Sequence, residues 1–143
     1  MFQENTFEER LISWANFRNC LETAQEPLSL LCHRYNELNR YSCMYNPWNQ
    51  AEWPDPWELI SNNRYCCFTI VLGMCYTLFY TNRFRTCDMK ILITKDNQDK
   101  TTKYLAQIAP NIIGYNEDLS SIHIKQMPSS AVIQKTFTFQ IKK

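Results

Sequence analysis

Two glycines in 143 residues exclude several chemistries at once. A phosphate-cradling loop needs closely spaced glycines so that backbone amides can approach the anion, and a nucleophile elbow of the Gly-x-Ser-x-Gly type needs a flanking pair. Charge of one sign is missing too. With 15 Lys and Arg against 14 Asp and Glu, the net charge of +1 supplies no field to gather a polyanion, so no nucleic-acid partner is expected. The mild basic excess at Lys135, Lys142 and Lys143 reads as a solvated strand end. Histidine is limited to His33 and His123, and there is no Cys-x-x-Cys pair. Cys20, Cys32, His33 and Cys43 fall on separate turns and a loop, so neither a metal nor another cofactor is expected. The longest apolar run, Cys66 to Tyr80, falls short of the roughly 20 residues that span a bilayer, and it reads as a buried helix. The opening residues carry Glu4, Glu8 and Glu9 where a signal peptide needs basic and apolar segments, so no export is expected.

What is present describes a chain that folds. A hydrophobic fraction of 45% with 20% charged residues is ordinary for a globular protein, and the length suits a single domain over residues 1–143. Aromatics at 14% supply large rigid contact area. The 7 cysteines are odd in number, and Cys20, Cys32, Cys67 and Cys75 sit within apolar, helix-like stretches. Buried thiols in a reducing compartment explain them better than a disulfide framework.

Periodicity then divides the chain. Phe7, Leu11, Ile12, Trp14, Ala15, Phe17 and Leu21 recur at helical spacing, with Thr6 and Glu9 placed as a capping box. Pro27 opens a second helix marked by Leu28, Leu31, Cys32, Tyr35 and Leu38, which fades at Asn39. Residues 39–57 form a Trp/Pro-rich loop with Tyr41, Tyr45, Trp48, Trp53 and Trp57, and core packing is the preferred role for its rings. Asp55-Pro56-Trp57-Glu58 reads as a helix start running through Ile60, and Tyr65 to Thr81 as a central helix, apolar nearly all round. Gly73 in its middle predicts close approach of a strand or helix. Over residues 86–143 the period becomes 2. Cys87, Met89, Ile91 and Ile93 oppose Asp88, Lys90 and Thr94; Tyr104 to Ile108 and Ile112 to Tyr115 form a hairpin across Pro110-Asn111. Ile122 and Ile124 suggest a short strand, and Ile133, Phe137, Phe139 and Ile141 a last one, with Lys135 as the exception on that face. Helices in residues 1–85 followed by an antiparallel meander define an α+β fold.

Cys66 and Cys67 stand at the head of the central helix, where unpaired amides and the helix dipole favour a thiolate. With the Asp-Pro-Trp-Glu-Leu-Ile lead-in and Tyr-Cys-Cys, this order of elements resembles the transglutaminase-like (papain-like) fold over roughly residues 53–118. There a Cys opens the core helix, and the following strands deliver a His and then an Asp. The resemblance implies a histidine where this chain has Lys103-Tyr104, and neither residue takes a proton from a thiol near neutral pH as imidazole does. A cysteine-dependent amidase or peptidase using Cys66 or Cys67 with His123 is therefore the alternative reading.

A second resemblance spans roughly residues 7–84. Trp14-Ala15-Asn16-Phe17-Arg18, Leu21-Glu22, Glu26-Pro27-Leu28, the run from Glu52 to Ile60, Leu72-Gly73-Met74 with Tyr76-Thr77-Leu78, and Thr81-Asn82-Arg83-Phe84 look like small virion proteins of contractile-tailed phages that infect cyanobacteria. It implies a non-enzymatic particle component of the neck, tail or baseplate, assembled in multiple copies in the host cytoplasm. Other virion proteins would be its partners, with a transglutaminase-like core as scaffold. Trp48, Trp53, Phe137 and Phe139 are the expected contact residues, on the aromatic loop and the last strand.

Overall fold

The computed structural model describes residues 4–98, 100–108, 111–115 and 131–139. The elements run α1 (Phe7–Thr23), α2 (Pro27–Asn36), a 3-10 turn (Gln50–Glu52), α3 (Pro56–Asn62), α4 (Cys67–Phe79), then β1 (Met89–Asp96), β2 (Thr102–Ile108), β3 (Asn111–Tyr115) and β4 (Ala131–Thr138). Among the described residues this is an α+β architecture: four α-helices and a four-stranded antiparallel sheet.

Local chemistry starts the first three helices where the pattern indicated, whereas α4, expected over Tyr65 to Thr81, runs Cys67–Phe79. Thr6 Oγ1 accepts the Glu9 amide at 3.2 Å, Pro27 occupies the first turn of α2, and Asp55 Oδ1 accepts the Glu58 amide at 2.8 Å. Asn63, left-handed at φ 53°, ends α3. Two positions depart from the expected amphipathic face of α1: Ile12 is exposed, and Arg10 is buried. Arg10 goes inside because its guanidinium finds carbonyls there, donating to Ile60 at 2.8 Å, Ser61 at 3.0 Å and Glu4 at 2.9 Å.

The middle layer is α4, touching α1, α2 and α3 on one side and β1, β2 and β3 on the other. Every residue from Phe68 to Leu78 is buried, as its nearly continuous apolar sequence requires. Gly73 admits the Tyr35 ring from α2, since a Cβ there would lie 3.1 Å from its Cε1. The Tyr35 hydroxyl then meets the Gly73 carbonyl at 3.1 Å and Thr77 Oγ1 at 2.8 Å, while the Trp14 indole donates to Thr77 Oγ1 at 2.9 Å. α1, α2 and α4 thus share one satisfied polar knot inside an apolar core.

The sheet order is β3-β2-β1-β4, so β1 to β3 meander as expected but β4 crosses to pair with β1 at the opposite edge. Met89, Ile91, Ile93, Ala106, Ile108, Ile113 and Phe137 join the helices in the main core. Because β1 is an inner strand, its second face is also drawn in. Leu92 and Thr94 are buried, and Thr94, expected on the solvent side, donates to the Lys103 carbonyl at 3.1 Å. An irregularity between Ile93 and Thr94 pairs Lys135 with Ile93 but Ile133 with Thr94. That extra β4 residue removes Ile133 from the face strict alternation would give it with Phe137, and leaves it 48% exposed. The expected strand at Ile122 and Ile124, and Ile141, lie outside the described residues. Among the described residues no helix is long and apolar enough to cross a membrane.

Candidate functional site

Two of the chain's thiols open α4. Cys66 is the N-cap residue, in extended backbone with φ −103° and ψ 176°, and Cys67 begins the helix. The Cys66 amide donates to Thr69 Oγ1 at 2.8 Å, and the Cys66 sulfur faces the Thr69 amide and lies 3.5 Å from the Thr69 hydroxyl. This is a capping box with sulfur in place of the usual oxygen. At 6% exposure Cys66 is buried, while Cys67 is half-buried.

A third thiol arrives from the aromatic loop. The Tyr41 amide donates to the Tyr65 carbonyl at 2.9 Å, and Arg40 pairs with Tyr65 in a parallel bridge, laying the chain beside the approach to α4. Cys43 consequently comes near Cys66, and its thiol donates to the Tyr45 carbonyl at 3.0 Å. Burial first, then neighbouring Cys66, pushes the Cys43 thiol up to about 11. On the sheet side Tyr104 of β2 sets its ring edge-on to Phe68, with centroids 5.5 Å apart. Burial raises the Tyr104 phenol, and the neighbouring Cys43, Cys66 and Cys67 raise it further.

The arrangement brings thiols together without a neutral-pH base among the described residues. Tyr104 holds its proton more firmly than a free phenol, and Lys103 is ion-paired to Asp96 at 3.2 Å. His33 projects from α2 with its side chain 75% exposed, its Nε2 lying 3.4 Å from Glu37 Oε1. It does not turn toward the buried Cys66. His123 and Asp118 lie outside the described residues. No group of three His, Cys, Asp or Glu side chains that could hold a metal occurs among the described residues.

The residues expected to contact partners separate sharply. Trp48 is 50% exposed on the loop, whereas Trp53, Phe137 and Phe139 are buried. Trp53 thus takes the core-packing role preferred for the loop's rings, while Phe137 and Phe139, expected at a partner contact on the last strand, face inward instead. The Trp53 ring lies 4.9 Å from Phe137 and 5.2 Å from Phe68, and its indole donates to the Pro47 carbonyl at 3.1 Å. Phe139 packs 5.2 Å from Tyr76, whose hydroxyl donates to the Pro54 carbonyl at 2.7 Å. These rings fasten the loop to α4 and β4. Tyr41, Met44 and Trp48 remain exposed on the loop, and Val132 and Ile133 on β4. Sequence reasoning missed Cys43 and Tyr104 as members of the site. The 22 residues between Cys43 and Cys66 carry no periodic signal that would join them.

Comparison with protein-family models finds no match, and comparison with curated proteins finds none either.

Proposed function

We propose that this chain is a non-enzymatic structural subunit of a tailed-phage particle, in the neck, tail or baseplate, built on a transglutaminase-like core whose nucleophile position has no catalytic use. The observation that carries the reading is Tyr104. In the order α4, β1, β2 it stands beside the cysteines at the position where the resembling fold has its histidine. A phenol raised by burial cannot accept a thiol proton near neutral pH.

The residues behind the virion likeness support a scaffold role because they hold the fold together. Trp14 packs against Trp57 and Tyr80, each with centroids 5.7 Å and 5.7 Å away, and Arg18 lies 4.3 Å over the Trp14 ring. Glu22 accepts the amides of Asn82 and Arg83, both at 2.9 Å. Partner binding is assigned to Tyr41, Met44 and Trp48 on the loop and to Val132 and Ile133 on edge strand β4, where large apolar groups face solvent. Other virion proteins are the proposed partners, with the chain present in multiple copies.

Quantitative mass spectrometry of purified particles tests this directly. The chain should be present at a fixed ratio to the major structural proteins, and Trp48→Ala should reduce its incorporation while leaving the free subunit's stability within about 0.5 kcal/mol of the parent. Absence from washed particles would remove the proposal. The second reading, a cysteine amidase or peptidase using Cys66 or Cys67 with His123, is favoured by the placement of both thiols at a helix head. It requires selective activation of one of those thiols.

A further inference from the structure

We propose that Arg18, stacked on an aromatic floor that Trp57 borders, is a docking site for a carboxylate: an aspartate or glutamate side chain of a partner protein, flanked by apolar residues. This surface is separate from the loop and edge strand assigned above. The inference also stands without the particle reading, since it needs only the geometry of α1, α3 and the end of α4.

Three rings make the floor. Trp14, Trp57 and Tyr80 pack pairwise, with centroids 5.7 Å apart for Trp14 and Trp57, 5.7 Å for Trp14 and Tyr80, and 5.9 Å for Trp57 and Tyr80. Trp14 is fixed from below, because its indole donates to Thr77 Oγ1 at 2.9 Å. Arg18, one turn further along α1, lays its guanidinium carbon 4.3 Å over the Trp14 ring and 5.9 Å from the centre of the Tyr80 ring. Stacking engages the face of a guanidinium and leaves its hydrogen-bonding edge for another group.

Within the described residues this cation has no anion. Glu22 stands one turn on and would be the natural partner, yet its two oxygens accept the amides of Asn82 and Arg83, both at 2.9 Å. No carboxylate forms an ion pair with Arg18 among the described residues. Its Nη1 reaches the Tyr80 carbonyl only at a long 3.5 Å, and its Nε is buried with no hydrogen-bond partner. Burial also disfavours the charge, lowering Arg18 from the ordinary arginine value, with Tyr80 acting in the other direction. A half-buried guanidinium that is already oriented and lacks an acceptor matches the paired oxygens of a carboxylate. A phosphate dianion would draw a cluster of arginines. Arg83 does not supply a second one, since its Nη1 is committed to the carbonyls of Leu21 and Ala24. Trp57, 47% exposed at the border of the same floor, offers an apolar surface to the residue beside the incoming carboxylate.

Nitrogen-15 NMR titration of the full chain with acetyl-Leu-Glu-Leu-amide tests the assignment, with the uncharged acetyl-Leu-Gln-Leu-amide as its isostere. The Arg18 Nε–H and Trp57 Nε1–H resonances should move together and saturate with the Glu peptide, and the Gln peptide should bind at least about tenfold more weakly. Arg18→Gln should abolish the difference between the two peptides. Arg18→Lys should bind the Glu peptide more weakly than the parent, because an ammonium keeps the charge but lacks the fork. The comparison of peptides is made on the unaltered chain, so it decides the matter even where a variant fails to fold. Equal affinity for the two peptides, an Arg18 resonance unmoved at about 20 mM Glu peptide, or an undiminished Glu preference in folded Arg18→Gln would each overturn the proposal. Tighter binding of acetyl-Leu-Gln-Leu with a free terminal carboxylate would overturn the assignment to an acidic side chain.

Discussion

Arg10 and Gly73 are the residues whose positions reveal most about how this core is held. Arg10 carries a charge inside because α3 ends there, and its guanidinium donates to the carbonyls of Ile60 and Ser61. A cation at a helix C-terminus also meets the favourable end of the dipole. Arg10→Leu retains the apolar stem but strands those buried carbonyls, so urea unfolding should show a loss of about 2 kcal/mol. A loss below about 0.5 kcal/mol would contradict this account of the residue. At Gly73 two effects oppose. Alanine gains about 1 kcal/mol of helix propensity. Its Cβ, however, meets Tyr35 Cε1 at 3.1 Å and the hydroxyl at 3.2 Å. Tyr35 cannot retreat, being fully buried, hydrogen-bonded to Gly73 and Thr77, and edge-on to Tyr65. Overpacking of about 1–3 kcal/mol then prevails, so Gly73→Ala should lower stability by about 1 kcal/mol in the same assay. Stabilisation would show that the ring can shift.

Among the elements, α1 and the turn after α4 clasp each other. The Glu22 carboxylate takes the amides of Asn82 and Arg83, and Arg83 returns Nη1 to the carbonyls of Leu21 at 3.1 Å and Ala24 at 2.6 Å. Glu22→Ala should therefore cost about 1 kcal/mol, read by thermal or urea unfolding, and should loosen the 81–85 turn in hydrogen exchange. The helices were legible in the chain because their signals are local. Asp55-Pro56 with Glu58 marks the start of α3, and unbroken apolar residues mark α4 as central. The hairpin of β2 and β3 was legible from alternation for the same reason. The pairing of β4 with β1 was not, since strand order depends on contacts distant in sequence. Nor was the irregularity at Ile93 and Thr94, which breaks the strict alternation assumed for Ile133. The candidate site divides the same way. Cys66 and Cys67 at a helix head could be read from the onset of the apolar run, whereas Cys43 joins them only through the Tyr41–Tyr65 backbone contact.

For the molecule as a whole, burial of weak acids sets the response to pH. Burial pushes Cys32 and Cys75 from their ordinary 9.0 up to about 12, and it raises the phenols of Tyr35 and Tyr65 as well. Above pH 9 the unfolded chain releases thiol protons that the native chain keeps. The unfolded state then binds fewer protons, so the slope of unfolding free energy against pH is negative. Stability from these groups is fully present below pH 9 and is lost as pH rises toward 12. Urea midpoints taken under reducing conditions should be lower at about pH 10.5 than at neutrality, and equal midpoints would contradict the burial of these thiols.

The central proposal is that the thiols at the head of α4 serve the fold rather than catalysis. Its most direct test is the rate of iodoacetamide alkylation at neutral pH, resolved cysteine by cysteine by peptide mass spectrometry. Exposed Cys20 provides an internal reference for an ordinary surface thiol. Cys66 should react at least about tenfold more slowly than Cys20, because it is buried and the neighbouring phenol offers no base. Selective alkylation of Cys66 or Cys67 ahead of Cys20 would contradict the scaffold account and identify an activated nucleophile.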